Sequence, residues 1–313
     1  MTTYGLALPH YDGLFPDAST WGARRTQATL AYARRAEDLG FAEVWVSDHL
    51  TLTLDGGPRR RSPDCWTLLG AIAQRTDSIR LGSLVSNASL RPPALLAHQV
   101  ATVIDLAGTR VDVGLGAGWN AQEYVSAGIA FPDAGERLAA VQRTADAVRQ
   151  AAGEATPPLW IGGKRSGALA MAGKIGDGWN LAWDPNPAAF DTRRAQVNAA
   201  AEAAGRPAPR VSVGLTTLVG QDEPDLRRRW ELLRRRVPDG YLDRVTFDQW
   251  RTKGLIGTVD DLSARARTWT DRDVDHIICA FGMPFALFDD DQLNLTRQAL
   301  SIRRSSEQEP TAL

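Results

Sequence analysis

The ten residues VDVGLGAGWN (111–120) place Gly114, Gly116 and Gly118 between an apolar run and a polar helical pattern. Glycines in that setting let backbone come close to a bound group, and three chemistries compete for it. A Rossmann phosphate loop needs G-x-G-x-x-G in the first strand–helix turn of its unit, with an acidic residue about 20 positions on. Here the spacing is G-x-G-x-G, Trp119 follows, and Glu136 lies inside a helical pattern. The glycines can instead simply let a strand turn into its loop, or they can clear room for a flat ring across the end of a barrel strand. Two other stretches carry chemistry. EVWVSDHL ends an apolar run in Asp48-His49, and imidazole exchanges protons near neutrality; the plain alternative is a capping aspartate beside a surface histidine. Gly162-Gly163-Lys164-Arg165 precedes a helix, whose free N–H groups with two cations make an anion site; the plain alternative is a solvated pair. His10 ends the first strand and is a candidate substrate contact, whereas His98 and His276 read as structural.

The elements that must hold these residues alternate regularly. Short apolar runs lie at 4–9, 43–47, 79–85, 110–116, 158–162, 177–182, 211–216 and 275–281. Several are apolar throughout, as strands buried on both faces are. Helical patterns lie between them at 19–39 (with Ser19 or Thr20 as N-cap), 64–76, 92–106, 133–152, 165–175, 186–204, 222–236 and 259–270, with a last one at 290–303. Eight strand–helix units predict an α/β fold of the (β/α)8 TIM-barrel type rather than an open sheet. One barrel domain is expected over 1–304. It has room for an inserted lid at 217–257, and a frayed tail follows at 305–313. Strand C-termini are where such barrels keep their sites, which favours function for Asp48 and His49.

Composition narrows the partners. With 36 Lys+Arg against 37 Asp+Glu, the net charge of −1 offers no field to recruit nucleic acid or an anionic membrane. No apolar run reaches the length of a membrane span, and no signal peptide is legible. Cys65 and Cys279 stand far apart in no metal or redox spacing, as suits a reduced cytoplasmic protein without a structural metal.

Taken in order, FAEVWVSDHL (41–50), LGSLVSNASLRPPALLAHQVATV (81–103), GLGAGWN (114–120), PPLWIGGKRSGALAMAGKIGDGWNLAW (157–183) and LIGTVDDLSARARTWTDRDVDHIICAFG (255–282) resemble the luciferase-like monooxygenase superfamily. Within it, the chain is most similar to oxidoreductases that use the deazaflavin coenzyme F-420 (F420). The resemblance covers about residues 4 to 300. It implies a flavin-type ring at the C-terminal ends of the strands, so the glycine stretch becomes a barrel cofactor loop. Asp48 and His49 would lie beside the ring, His49 delivering the proton and Asp48 orienting it or touching the ring. Leu84-Val85 would form a bulge behind the ring, often with a non-prolyl cis peptide, and Asn87 would touch the ring edge. Gly116, Gly118, Trp119 and Asn120 would line the ring and its side chain, with Trp119 as an alternative substrate wall. Gly162, Gly163, Lys164 and Arg165 would hold the phosphodiester and acidic tail of F420, or the phosphate of FMN. The basic loop 56–64 lies on the same face and reads as solvated. A homodimer is the habit of relatives.

Three departures set limits. AVRQAAGEATPPLWIGG (147–163) runs almost directly from helix to the fifth strand, where family members carry a longer pocket-shaping segment. LAGTR (106–110) replaces the family's SGGR-type turn. The tryptophan that sugar-phosphate dehydrogenases of the group carry after Asp-His is absent from HLTLTLDGG. Hydride transfer between F420 and a small C=C, C=N or C=O substrate is the expected activity. The rivals are an FMN-dependent monooxygenase fed by a separate reductase, and a non-catalytic flavin-binding barrel. The cofactor supplies the redox chemistry in the first two, and the protein positions and shields it.

Overall fold

The computed structural model describes residues 2–11, 23–53, 60–236, 242–281 and 289–303. The helix start expected at Ser19 or Thr20, the tail at 305–313 and the tip of the basic loop lie outside them.

Eight parallel strands close into a barrel: β1 (Thr3–Ala7), β2 (Glu43–Val46), β3 (Arg80–Ser83), β4 (Val111–Gly116), β5 (Leu159–Gly162), β6 (Gly178–Ala182), β7 (Arg210–Gly220) and β8 (His276–Phe281). β8 pairs with both β1 and β7, which completes the ring. The helices are α1 (Ala23–Asp38), α2 (Cys65–Ala73), α3 (Pro93–Ala107), α4 (Ala121–Ser126), α5 (Ala134–Ala152), α6 (Ser166–Ile175), α7 (Pro187–Ala203), α8 (Glu223–Arg236), α9 (Phe247–Arg251), α10 (Val259–Thr270) and α11 (Asp290–Leu300). The eight apolar runs of the sequence are the eight barrel strands. The link before β5 is as short as its sequence: α5 stops at Ala152, one 3-10 turn spans Gly153–Ala155, and β5 starts at Leu159. The stretch 217–257 holds the upper half of β7, α8, α9 and an outer strand, Gly254–Thr258, that pairs in parallel with β7 outside the ring.

Strand alternation sorts the side chains. One face of each strand packs under the helices in the main core, with Leu6, Val44, Leu81, Val113, Ile161, Leu181, Val213 and Ile277 among its members. The other face fills the barrel in tiers. Trp45 and Trp160 meet edge to face at 6.1 Å in the middle. Their rings lie where a Cβ at Gly82 or Gly178 would sit, 2.2 and 2.1 Å away, so those strands need glycine for steric reasons. Below them, Glu43 and Asp112 accept the two indole N–H groups, each at 3.0 Å, and Arg80 binds Asp112 at 2.7 Å. Burial, reinforced by Asp112, lifts the Glu43 carboxyl to about 8, and burial with Arg210 depresses His276 to about 3. These buried polar groups fix the two indoles as a rigid floor.

Above the floor the inward positions are small: Ala7 on β1, Gly116 on β4, Gly162 on β5, Ala182 on β6, Gly214 on β7 and Ala280 on β8. Small residues thus stand on six of the eight strands toward the C-terminal mouth of the barrel, and Leu84 follows β3 there.

Candidate functional site at the barrel mouth

The mouth is shaped by one bulge. Between β3 and the two-residue strand Ser86–Asn87, the Leu84–Val85 peptide is cis, the form expected of the family bulge. Val85 projects over the glycines. A Cβ on Gly116 would stand 2.6 Å from its Cγ2, and one on Gly162 would stand 2.9 Å from both of its methyl carbons. Gly118 has φ +72, a left-handed backbone, and a Cβ there would meet Asn87 Oδ1 at 2.5 Å and Tyr124 Oη at 2.6 Å. A β-bulge over a glycine shelf therefore needs both glycines and the valine.

Asp48, expected beside the ring, is buried. Its carboxylate takes both ends of the Arg91 guanidinium, at 2.5 and 2.8 Å, and the Asn87 N–H at 3.1 Å. Arg91 also reaches Asp64 at 2.8 Å. Its hydrogen bonds thus tie the Asn87 turn to Arg91, while the carboxylate bonded to His49 is a different one. Asn87 is likewise buried. Its Oδ1 accepts from Tyr124 Oη at 2.7 Å and from Ser89 N at 3.3 Å, so its carboxamide oxygen supports the Gly118 loop from below.

The carboxylate on His49 is Glu123. It comes from α4, is 1 % exposed at its side chain, and places Oε2 2.9 Å from His49 Nδ1. Its Oε1 accepts the Leu50 and Thr51 N–H groups at 2.7 and 3.2 Å. His49 keeps 21 % of its side chain exposed. Trp119 stands edge to face with it at 5.8 Å, and Tyr11 lies tilted at 6.3 Å. Trp119 is 67 % exposed and so forms part of the rim. Asn120 spends its Oδ1 on Gln122 N at 3.2 Å as the N-cap of α4. Glu123 sits three residues after that cap, where sequence reading assigns an acid to the helix start. That camouflage is why it went unseen, as did Arg91, whose partner Asp48 is 43 positions away.

His10 is also placed differently. It is fully buried, with Nδ1 2.7 Å from Leu8 O and Nε2 3.2 Å from Ser47 O, and it stacks on Tyr11 at 4.6 Å. Burial depresses it to about 4. Both ring nitrogens face backbone carbonyls, so the buried ring backs Tyr11. Across the mouth, Gly163 has φ +150 and its carbonyl takes the Trp179 indole N–H at 3.0 Å. Lys164 Nζ lies 3.2 Å from Trp183 O, and burial lowers its pKa. α6 begins after Arg165 with no side-chain cap, so its first N–H groups have no side-chain acceptor. Among the described residues no His/Cys/Asp/Glu group is arranged to hold a metal, and no helix is long and apolar enough to cross a membrane.

The closed eight-stranded ring, with a valine bulge packed on glycines and a histidine at its mouth, defines a (β/α)8 TIM barrel with a candidate site at its C-terminal face. The family model described as luciferase-like monooxygenase matches residues 12–281, and the chain belongs to that family. A curated relative, the F420-dependent glucose-6-phosphate dehydrogenase of Beutenbergia cavernae, is 32 % identical over 173 residues. That match takes in 48 % of this chain and 51 % of the relative, so the chain spans about half the relative's length. Among solved structures, the monooxygenase RslO1 from Streptomyces bottropensis superposes with a TM-score of 0.77 at 21 % identity, covering 96 % of this chain and 99 % of that one. An F420-dependent secondary alcohol dehydrogenase in complex with an F420–acetone adduct also gives 0.77, at 19 % identity, with the same coverage. The two structures share the fold with this chain, and the fold alone does not separate their chemistries.

Proposed function

We propose that this chain is an F420-dependent oxidoreductase that transfers hydride between the deazaflavin and a small organic substrate with a C=C, C=N or C=O group. The observation that carries the reading is His49, 21 % exposed at its side chain and paired with the buried Glu123 carboxylate beside the Val85 bulge at the barrel mouth. A flat tricyclic ring would lie on the far side of Val85, which packs on Gly116 and Gly162, while Gly118 lets its loop close on Asn87 and Tyr124. The uncapped N–H groups at the start of α6, with Lys164 and Arg165, fit an anionic tail. When bound, the deazaflavin supplies the hydride acceptor or donor. The chain binds it, keeps water from one face through Val85 and Leu84, and moves a proton at His49. The F420-dependent relative supports this choice of cofactor over FMN. The absent tryptophan after Asp48-His49 points away from a sugar phosphate as substrate. A cytoplasmic homodimer completes the proposal, and light scattering tests the dimer.

Oxygen dependence tests the reaction. A deazaflavin passes hydride and does not readily form the oxygen adduct that a monooxygenase needs. Reduced F420 should be oxidised by an acceptor panel at the same rate with and without oxygen. Turnover that requires oxygen and reduced FMN would replace the proposal with a monooxygenase.

A further inference from the structure

We propose that Glu123 is the positioning residue of the site: it holds the proton of neutral His49 on Nδ1, so that Nε2 is the nitrogen that exchanges a proton with substrate. The inference rests on the proposed function for its chemistry, but its geometry stands alone. Two backbone N–H groups, of Leu50 and Thr51, fix Oε1 of the buried carboxylate. They can only donate, so the carboxylate is anchored as an acceptor and cannot swing away. Its second oxygen then faces Nδ1 at 2.9 Å. Neutral imidazole has one N–H, and it sits where an acceptor is fixed opposite it. The remaining neighbours of the ring, Trp119 on the rim and Tyr11 behind, offer faces and edges at 5.8 and 6.3 Å and do not compete for that nitrogen. His10 lies one ring further back, stacked on Tyr11.

The chemistry follows. In the oxidising direction, a bound deazaflavin would supply the acceptor for the hydride released when the substrate C–H bond breaks with both electrons. The O–H or N–H bond on the same carbon breaks, its proton moves to His49 Nε2, and the C=O or C=N bond forms. The imidazolium so produced faces the Glu123 carboxylate, which stabilises it. In the reducing direction the same proton returns. Glu123 belongs to α4, which starts directly after the Gly116–Asn120 loop. The loop expected to line the cofactor and the group that aims the proton carrier are thus one piece of backbone.

Glu123→Gln tests this. Leu50 and Thr51 keep the amide oxygen, so the amide NH2 turns toward Nδ1 and donates to it, and the imidazole proton must move to Nε2. With four histidines in the chain, 15N-histidine labelling and long-range 1H–15N spectra of the cofactor-free protein resolve each ring, and His49→Gln assigns the His49 signals. The expected result is the Nδ1–H tautomer in the parent protein and Nε2–H in Glu123→Gln. In turnover, Glu123→Gln should lose at least about tenfold in kcat while F420 affinity stays within about threefold. An Nε2–H tautomer in the unaltered protein overturns the proposal without any variant having to fold. An unchanged tautomer in a folded Glu123→Gln overturns it as well. Failure to bind F420 would sink the cofactor assignment and leave the tautomer result standing, so the two failures are distinguishable.

Discussion

Asp48→Asn is the substitution whose cost the structure sets most clearly. Asp48 is 2 % exposed at its side chain and Arg91 10 %, with two charge-assisted contacts between them. Removing one partner of a buried pair costs roughly 3–5 kcal/mol, because the other charge stays buried. Two features place this pair at the low end of that range. Arg91 keeps Asp64, and an amide oxygen at position 48 still accepts from Asn87 N. We therefore expect a loss of about 3 kcal/mol. An unfolding entropy of about 2.1 cal/mol/K per residue over 313 residues gives roughly 0.66 kcal/mol per degree, so Tm should fall by about 4–5 °C. Calorimetry on Asp48→Asn, Arg91→Met and the double variant forms the cycle. The double variant should cost less than the sum of the singles by at least about 1.5 kcal/mol, since no charge is then left alone. A Tm change under about 1 °C, or strict additivity, would refute the anchoring role. Asp48→Asn should also leave the His49 tautomer unchanged, because Glu123, not Asp48, faces it.

Other consequences are equally concrete. Gly118→Ala forces a left-handed backbone at φ +72 and a Cβ into Asn87 and Tyr124; strain of about 1–2 kcal/mol plus a displaced loop should weaken F420 binding at least tenfold, and binding within twofold would show that this loop does not touch the cofactor. His49→Ala should cut turnover at least tenfold while sparing cofactor affinity, and unchanged turnover would remove His49 from the mechanism. His10 is held neutral by burial, its folded-state value near 4 lying below the ordinary 6.5. The unfolded chain binds that proton first on acidification, so stability falls as pH drops from 6.5 toward 4. Relative to His10→Asn, the parent should lose about 3 kcal/mol over that window, read by urea unfolding at several pH values; parallel curves would mean that His10 titrates normally.

The fold was largely legible because its signal is local. Each barrel strand is an apolar run of a few residues, and each following helix brings its own periodicity and stop. The outer strand Gly254–Thr258 went unread because LIGT lies within a stretch taken as lid, and its partner is the extended upper half of β7. Site residues were legible by place more than by role. Asp48 and His49 do end a strand at the barrel mouth, yet the roles divide by contacts that only tertiary structure supplies. Asp48 meets Arg91 from the following unit, and His49 meets Glu123 from the unit after that. Glu123 reads as a helix-start acid until its side chain is seen to turn away from its own helix. His10 looks like a mouth residue in sequence, but its ring is fully buried and stacked on Tyr11. The Leu84–Val85 bulge was expected from the family resemblance alone, since no residue type announces a non-prolyl cis bond.

The central claim is the identity of the cofactor, and a binding titration meets it most directly. Purified, cofactor-free protein is titrated with oxidised F420 and, separately, with FMN, followed by calorimetry or fluorescence. The account predicts tight binding of F420 and weak binding of FMN. The reverse preference, or no binding of either, would contradict it.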